Sequence, residues 1–241
     1  MLPFINIFGH NVDSGYFFWG VGIIVAQIYY QAMGKHYGFR WYMSLLYGFL
    51  FTVFEMIGAK ILYIAENFTY VLENGIGFGG FSLFGIMLSL PLLTLLLSKC
   101  AKVPYGNLMD FASSGILLGL ALYRVGCTCV GCCRGLPFFF GIAYTNAEVL
   151  FPVQPTEAVL DILLAITLTV LFLKKKLKRG EQYLLFMSGY GLIRFVLEFT
   201  RERSRLIGIF SLAHIWAGLA LAVGITLFLR SRGNKKCSAE L

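Results

Sequence analysis

Residues 156–179 read TEAVLDILLAITLTVLFLKKKLKR. The apolar run covers 156–173 and stops against Lys174, Lys175, Lys176, Lys178 and Arg179. A run of about 20 apolar residues is long enough to cross a bilayer as a helix. A basic cluster at its end marks the cytoplasmic side. The same pattern repeats along the chain, with apolar runs at 16–33, 42–65, 77–98, 107–125, 156–173, 183–199 and 207–229. Lys35 and Arg40 follow the first run, Lys99 and Lys102 the third, and Arg230, Arg232, Lys235 and Lys236 the seventh. Thirteen of the 20 Lys and Arg residues therefore fall on one side. The other side begins with Asp13 and includes ENFTYVLENG, which has acids and no basic residue. These features predict an all-α integral membrane protein of about seven transmembrane helices, with the N-terminus outside and the C-terminus cytoplasmic.

Composition agrees. Hydrophobic residues make up 58% of the 241 and charged residues 13%, and mean hydropathy is +0.76. A soluble domain carries about 25% charged residues, so half that density cannot cover a water-facing surface. The formal net charge of +8 suggests nucleic acid as a partner, but positive-inside topology accounts for most of it, so no nucleic-acid partner is expected. No basic stretch precedes the first run, and no cleavable signal peptide is expected. The chain reads as a single transmembrane domain over 1–241, with a Cys-rich segment at 126–155 between spans four and five.

Seven basic residues break the positive-inside pattern: Lys60, Arg124, Arg134, Arg194, Arg201, Arg203 and Arg205. Charge inside a bilayer costs a few kcal/mol, so each needs a reason. Arg194 lies within YLLFMSGYGLIRFVLEFT, and Glu198 is one helical turn on, on the same face. The pair is either a structural ion pair or an anion-binding Arg held by its carboxylate partner. Arg201, Arg203 and Arg205 continue at the outer end of that span, as lipid-phosphate contacts or as substrate ligands. Arg124 ends span four in GLALYRVGCTCVGCCRG, where glycines permit tight turns. It is either a snorkelling helix-end Arg or, with Arg194, half of a phosphate site. Gly79 and Gly80 open span three with permissive backbone. His214, near the outer start of span seven, faces the site or bonds to the backbone at a helix end.

Cys127, Cys129, Cys132 and Cys133 form C-x-C-x-x-C-C. Adjacent cysteines fit standard zinc spacing poorly, and no metal is expected. Disulfide pairing, tight packing of small residues, and a thiol activated by a nearby cation all remain open.

Arg-x-Gly at the end of span four and Tyr-Gly-x-x-Arg-x-x-x-Glu in span six (Tyr190 to Glu198) resemble the phosphatidylglycerol–prolipoprotein diacylglyceryl transferase family. The resemblance runs across nearly the whole chain and is strongest over Asp110–Gly135 and Tyr190–Arg201. Gly58-Ala59-Lys60 with Tyr63, and Pro155-Thr156-Glu157, are similar to further family segments, and Tyr16 matches a tyrosine near the start of span one. The resemblance implies a bacterial plasma-membrane enzyme, without cofactor, that moves a diacylglyceryl group from phosphatidylglycerol or another anionic phospholipid. The acceptor it implies is the lipobox cysteine thiol of a prelipoprotein, or another thiol. By carry-over Arg124 and Arg194 hold the lipid phosphate, Glu198 positions Arg194, and Arg201, Tyr16, Gly135, Gly79 and Gly80 contribute to substrate binding. Asp110 occupies the family's Asp position and orients its helix. Three positions depart from the family: Phe84 stands where the family has His, Cys127 where it has Asn, and Cys132 where it has an acid. The chain is thus similar to a divergent branch with a Gly-Cys-Cys motif, and Cys132 is a candidate nucleophile by position. Two other functions compete with the transferase. One is a membrane thiol or metal protein using Cys127–Cys133; the other is a non-catalytic phospholipid-binding homologue.

Overall fold

A computed structural model describes residues 2–7, 9–77, 80–143, 148–202 and 209–233. Eight α-helices dominate the described residues: α1 Ser14–Gly34, α2 Trp41–Glu66, α3 Phe68–Asn74, α4 Leu83–Ala101, α5 Tyr105–Val130, α6 Val153–Leu173, α7 Glu181–Glu198 and α8 Leu212–Gly233. Five of them, α2, α4, α5, α6 and α8, are long and apolar enough to cross a membrane. The other two predicted spans fall on α1 and α7. Gln27, Gln31 and the tyrosines dilute α1, and Glu181, Gln182, Arg194 and Glu198 dilute α7. The outward faces of the helices carry exposed Ile24, Phe49, Leu92, Val159, Leu163 and Leu219, which suits a hydrocarbon solvent.

The fold is not helical throughout. Strands β1 Phe4–Ile7 and β2 His10–Asp13 form one antiparallel hairpin, and β3 Pro137–Ala143 with β4 Val149–Leu150 form another. Much of the predicted Cys-rich loop is thus ordered. α5 continues through it to Val130, Gly131 at φ 77° ends the helix, and β3 and β4 follow before α6 begins. Both hairpins lie at the end of the bundle where α5 stops and α6 begins.

α5 is the central helix. Leu108–Leu117 is buried on every side, as befits a helix surrounded by other helices. Its small residues make this possible. Gly115 lies under the ring of Tyr30, and a Cβ on Gly22 of α1 would sit 2.7 Å from the carbonyl oxygen of Gly119. Around this axis pack Tyr30, Phe51, Phe39 and Phe111, and Tyr37 stacks on Phe172 with centroids 4.1 Å apart.

The basic end is held by polar contacts. Asp110 of α5 accepts from the backbone N–H groups of Gly180 (2.6 Å) and Tyr183 (3.0 Å), so it caps the start of α7 from a neighbouring helix. A carboxylate there satisfies N–H groups that the helix itself cannot pair. Glu181 then ties α8 down through Arg232 (3.1 Å) and Ser231 (2.8 Å). α7, which carries Arg194 and Glu198, is thereby fixed in depth and rotation.

Candidate functional site: an arginine cluster at the head of an intramembrane cavity

Glu157, one turn into α6, is fully buried. Its Oε2 faces three arginines from three places in the chain: Arg124 of α5 (Nε at 3.0 Å), Arg194 of α7 (Nη1 at 3.5 Å) and Arg201 just beyond α7. Tyr190, one turn before Arg194, donates to Glu157 Oε1 at 3.1 Å. Arg194 also pairs with Glu198 through Nη2 at 2.8 Å, the spacing expected for residues four apart on a helix. Glu198 in turn accepts from the Ser211 hydroxyl at 2.8 Å. His214 accepts the Ser211 backbone N–H at Nδ1, 3.0 Å away, which is the helix-end arrangement and leaves the ring proton on Nε2. Asp161, a turn below Glu157, is buried with no hydrogen bond to either carboxylate oxygen.

The three guanidiniums outnumber the two carboxylates that pair with them. Arg124 Nε and Arg194 Nη1 approach Glu157 off the hydrogen-bond line, and Arg201 Nε and Nη1 have no acceptor. A buried donor without an acceptor costs free energy. Surplus N–H groups of this kind suit an anion, and planar guanidiniums match phosphate oxygens.

Arg124 and Arg194 open onto a cavity of about 550 Å³ enclosed by α1, α2, α4 and α5. That volume lies within the range of small-molecule sites. Its walls include Ile23, Ala26, Met56, Ile86, Ile116 and Leu120, and its polar lining includes Glu55, Ser82, Cys133 and Ser211. Glu55 Oε1 has no hydrogen-bond partner.

The structure brings together most of the residues singled out in the sequence. Arg124, Arg194, Glu198 and Arg201 form one cluster. Gly80 lines the cavity at φ 77°, with the Tyr63 ring against it. Gly135 is buried and bridges to Arg201 in an isolated β-pair, so it supports Arg201 through the backbone. Two expected residues stand elsewhere. Tyr16 is 54% exposed and outside the cavity, because Asp13 caps α1 there and the side chain turns outward. Cys132 is exposed, whereas Cys133, next in sequence, lines the cavity. Gly79, Arg203 and Arg205 lie outside the described residues. Of the other basic residues that break the charge pattern, Lys60 donates to the carbonyl of Gly77 at 2.6 Å, and Arg134 to that of Gly131 at 2.9 Å. Glu157 is the residue whose importance the sequence conceals; its signal was an acid inside an apolar run.

Cys100, Cys127, Cys129, Cys132 and Cys133 are all free thiols. Among the described residues no group of three His, Cys, Asp or Glu side chains is placed to hold a metal ion.

Comparison with known proteins shows which family the chain belongs to. The chain is 33% identical over 196 residues to the phosphatidylglycerol–prolipoprotein diacylglyceryl transferase of Dehalococcoides mccartyi, covering 75% of this chain and 74% of that one. It is 27% identical over 237 residues to phosphatidylglycerol–prolipoprotein diacylglyceryl transferase 2 of Clostridium perfringens, covering 92% of both. It is 24% identical to the Clostridium tetani transferase, covering 90% of this chain and 92% of that one. The family model described as prolipoprotein diacylglyceryl transferase matches residues 6–230. With its paired arginines, their carboxylate partners and a match along nearly the whole chain, this protein belongs to the prolipoprotein diacylglyceryl transferase family.

Proposed function

We propose that the protein is a transferase that moves a diacylglyceryl group from phosphatidylglycerol to the lipobox cysteine thiol of a prelipoprotein. The observation that carries this reading is the pair Arg124 and Arg194, buried at the head of one cavity with N–H groups that Glu157 does not satisfy. The lipid phosphate oxygens accept those N–H groups. The acyl chains lie along the apolar walls of α1, α2, α4 and α5. When the glyceryl carbon–oxygen bond breaks, its electron pair stays on the phosphate, and guanidiniums already in place stabilise the added charge. Glu198, held by Ser211, aims Arg194, and Arg201 completes the cluster through its bridge to Gly135. Gly80 gives the lipid close access to the backbone. Tyr16 and Cys132 stand outside the cavity walls and take no part.

In this reading the chain is one domain of seven spans in a bacterial plasma membrane. The hairpin end faces outward, where secreted acceptors arrive, and the basic end faces the cytoplasm. Support comes from the charge distribution and from α1 and α7, which match the remaining two apolar runs. Single-cysteine labelling in intact cells tests the orientation: a cysteine at Asn11 should react with an impermeant reagent, and one at Lys175 should not.

The reaction is tested with purified protein in phosphatidylglycerol nanodiscs and a synthetic lipobox peptide. Mass spectrometry should find a thioether-linked diacylglyceryl group on the peptide, lost in Arg124→Ala and Arg194→Ala. A second reading, lipid binding without turnover, is favoured by Phe84. Its ring stands in the cavity 6.4 Å from that of Tyr190, where a proton-handling group would serve catalysis. It predicts lipid that co-purifies, is released by the same two substitutions, and gives no peptide product.

A further inference from the structure

Thiol alkylation needs a group that removes the thiol proton, and Phe84 has none to offer. A thiol in the cavity wall beside the arginines does. Cys133 lines the cavity together with Arg124 and Arg194. Both arginines are more than nine-tenths buried and carry N–H groups that Glu157 approaches without completing a hydrogen bond, so the thiol faces a site already built for a ligand.

The backbone selects this cysteine over its neighbour. Gly131 supplies the left-handed residue that ends α5, and Cys133 then takes a second left-handed conformation, at φ 57°. Such a conformation is uncommon for a residue with a Cβ. The only other non-glycine examples among the described residues are Lys102 and Lys175, both at helix ends. The turn is fixed on both sides, because Arg134 donates to the Gly131 carbonyl and Gln154 to the Cys132 carbonyl. As a result Cys132 points to the surface and Cys133 into the cavity.

We propose that Cys133 is the general base of the transfer reaction, taking the proton from the acceptor thiol; this role rests on the activity proposed above. The Cys133 thiolate accepts the acceptor's S–H proton. The acceptor sulfur then attacks the glyceryl carbon, the carbon–sulfur bond forms, and the carbon–oxygen bond breaks with its electrons left on phosphate. The Cys133 proton passes to the departing glycerol phosphate, which restores the thiolate. One thiol relaying to another is near balance in proton affinity, the condition that favours general-base catalysis. The surroundings favour the ionised form: hydrogen bonding with the Cys127 and Cys132 thiols, then the charges of Arg124 and Arg201, lower the pKa of Cys133, while burial opposes them.

The test uses full-length protein in phosphatidylglycerol nanodiscs with a lipobox peptide. Cys133→Asn and Cys133→Asp both tolerate a positive φ, and only the second supplies a base. Cys133→Asn should lower kcat by about 100-fold or more, the general-base contribution, with KM for phosphatidylglycerol within about twofold of the wild-type value and an unchanged melting temperature. Cys133→Asp should recover at least about tenfold over Cys133→Asn and move the acid limb of the kcat profile to lower pH, because a carboxylate stays ionised further down. Cys129→Ala should match wild type. Near wild-type turnover in Cys133→Asn, or Cys133→Asp no better than Cys133→Asn, overturns the role while leaving the transfer reaction standing. Absence of thioether product from the wild-type protein overturns the transfer reaction and the base with it.

Discussion

Glu157 and Arg201 come from different parts of the chain and meet in the interior, carboxylate to guanidinium, with both side chains fully buried. The same Glu157 oxygen faces Arg124 and Arg194. A single carboxylate therefore sets the positions of three cations, and the site depends on it more than on any one arginine.

Glu157→Gln keeps the shape and removes the charge. Leaving buried charges without their partner costs about 3–5 kcal/mol. The melting temperature in detergent should fall sharply, and transfer activity should be lost. Glu157→Gln combined with Arg201→Ala should be less damaging than the sum of the two, because both remove one interaction. Strict additivity would show that the residues act apart.

Arg194→Lys should behave almost like Arg194→Ala in the transfer assay. The guanidinium reaches Glu157 and Glu198 with separate nitrogens, and an ammonium has no such fork. Losing one charged hydrogen bond is worth about 1.5–3 kcal/mol, or roughly 10–100-fold in rate. If the loss arises in phosphate binding, it appears in KM for phosphatidylglycerol; if in the leaving group, in kcat.

Asp110→Asn tests the cap at the far end of α7. The amide keeps one acceptor but removes the negative charge, and loss of a cap costs about 0.5–2 kcal/mol. Stability should fall by that order. Protease cleavage in the segment between α6 and α7 should rise, while Arg194 keeps its local partner Glu198. An unchanged melting temperature would show that Asp110 does not hold α7.

Gly135→Ala should impair the site although Gly135 touches no cavity. A Cβ there would fall inside contact distance of the Phe151 carbonyl oxygen, forcing apart the strand pair that carries Arg201. Gly20→Ala, where a Cβ meets nothing within 4 Å, is the matched control and should leave both stability and activity near wild type.

Local patterns in the sequence revealed much of this. Each apolar run falls on a helix, with ends that differ by up to six residues, because hydrocarbon burial acts on each segment alone. The Arg194–Glu198 pair was visible because its partners lie one turn apart. Glu157 was not, since its three arginines are distant in sequence and meet only through packing of α5, α6 and α7. The choice between Cys132 and Cys133 was hidden for a different reason. It turns on one backbone dihedral at Cys133, and residue type alone places no cysteine in that conformation. Tyr16 stands outside the cavity because its side chain turns outward beside the Asp13 cap, an orientation that residue type alone does not announce.

The arrangement of the charges also bears on how the chain is made. Arg194 and Glu198 share a helix, so α7 carries its cation already paired. Arg124 and Glu157 lie on α5 and α6, consecutive long helices that pack together, and they can pair before α7 is synthesised. Arg201 has no partner on its own helix and sits past the end of α7, where it meets a Glu157 already in place. During biogenesis the arginines of the cluster can thus be paired stepwise as their helices are made.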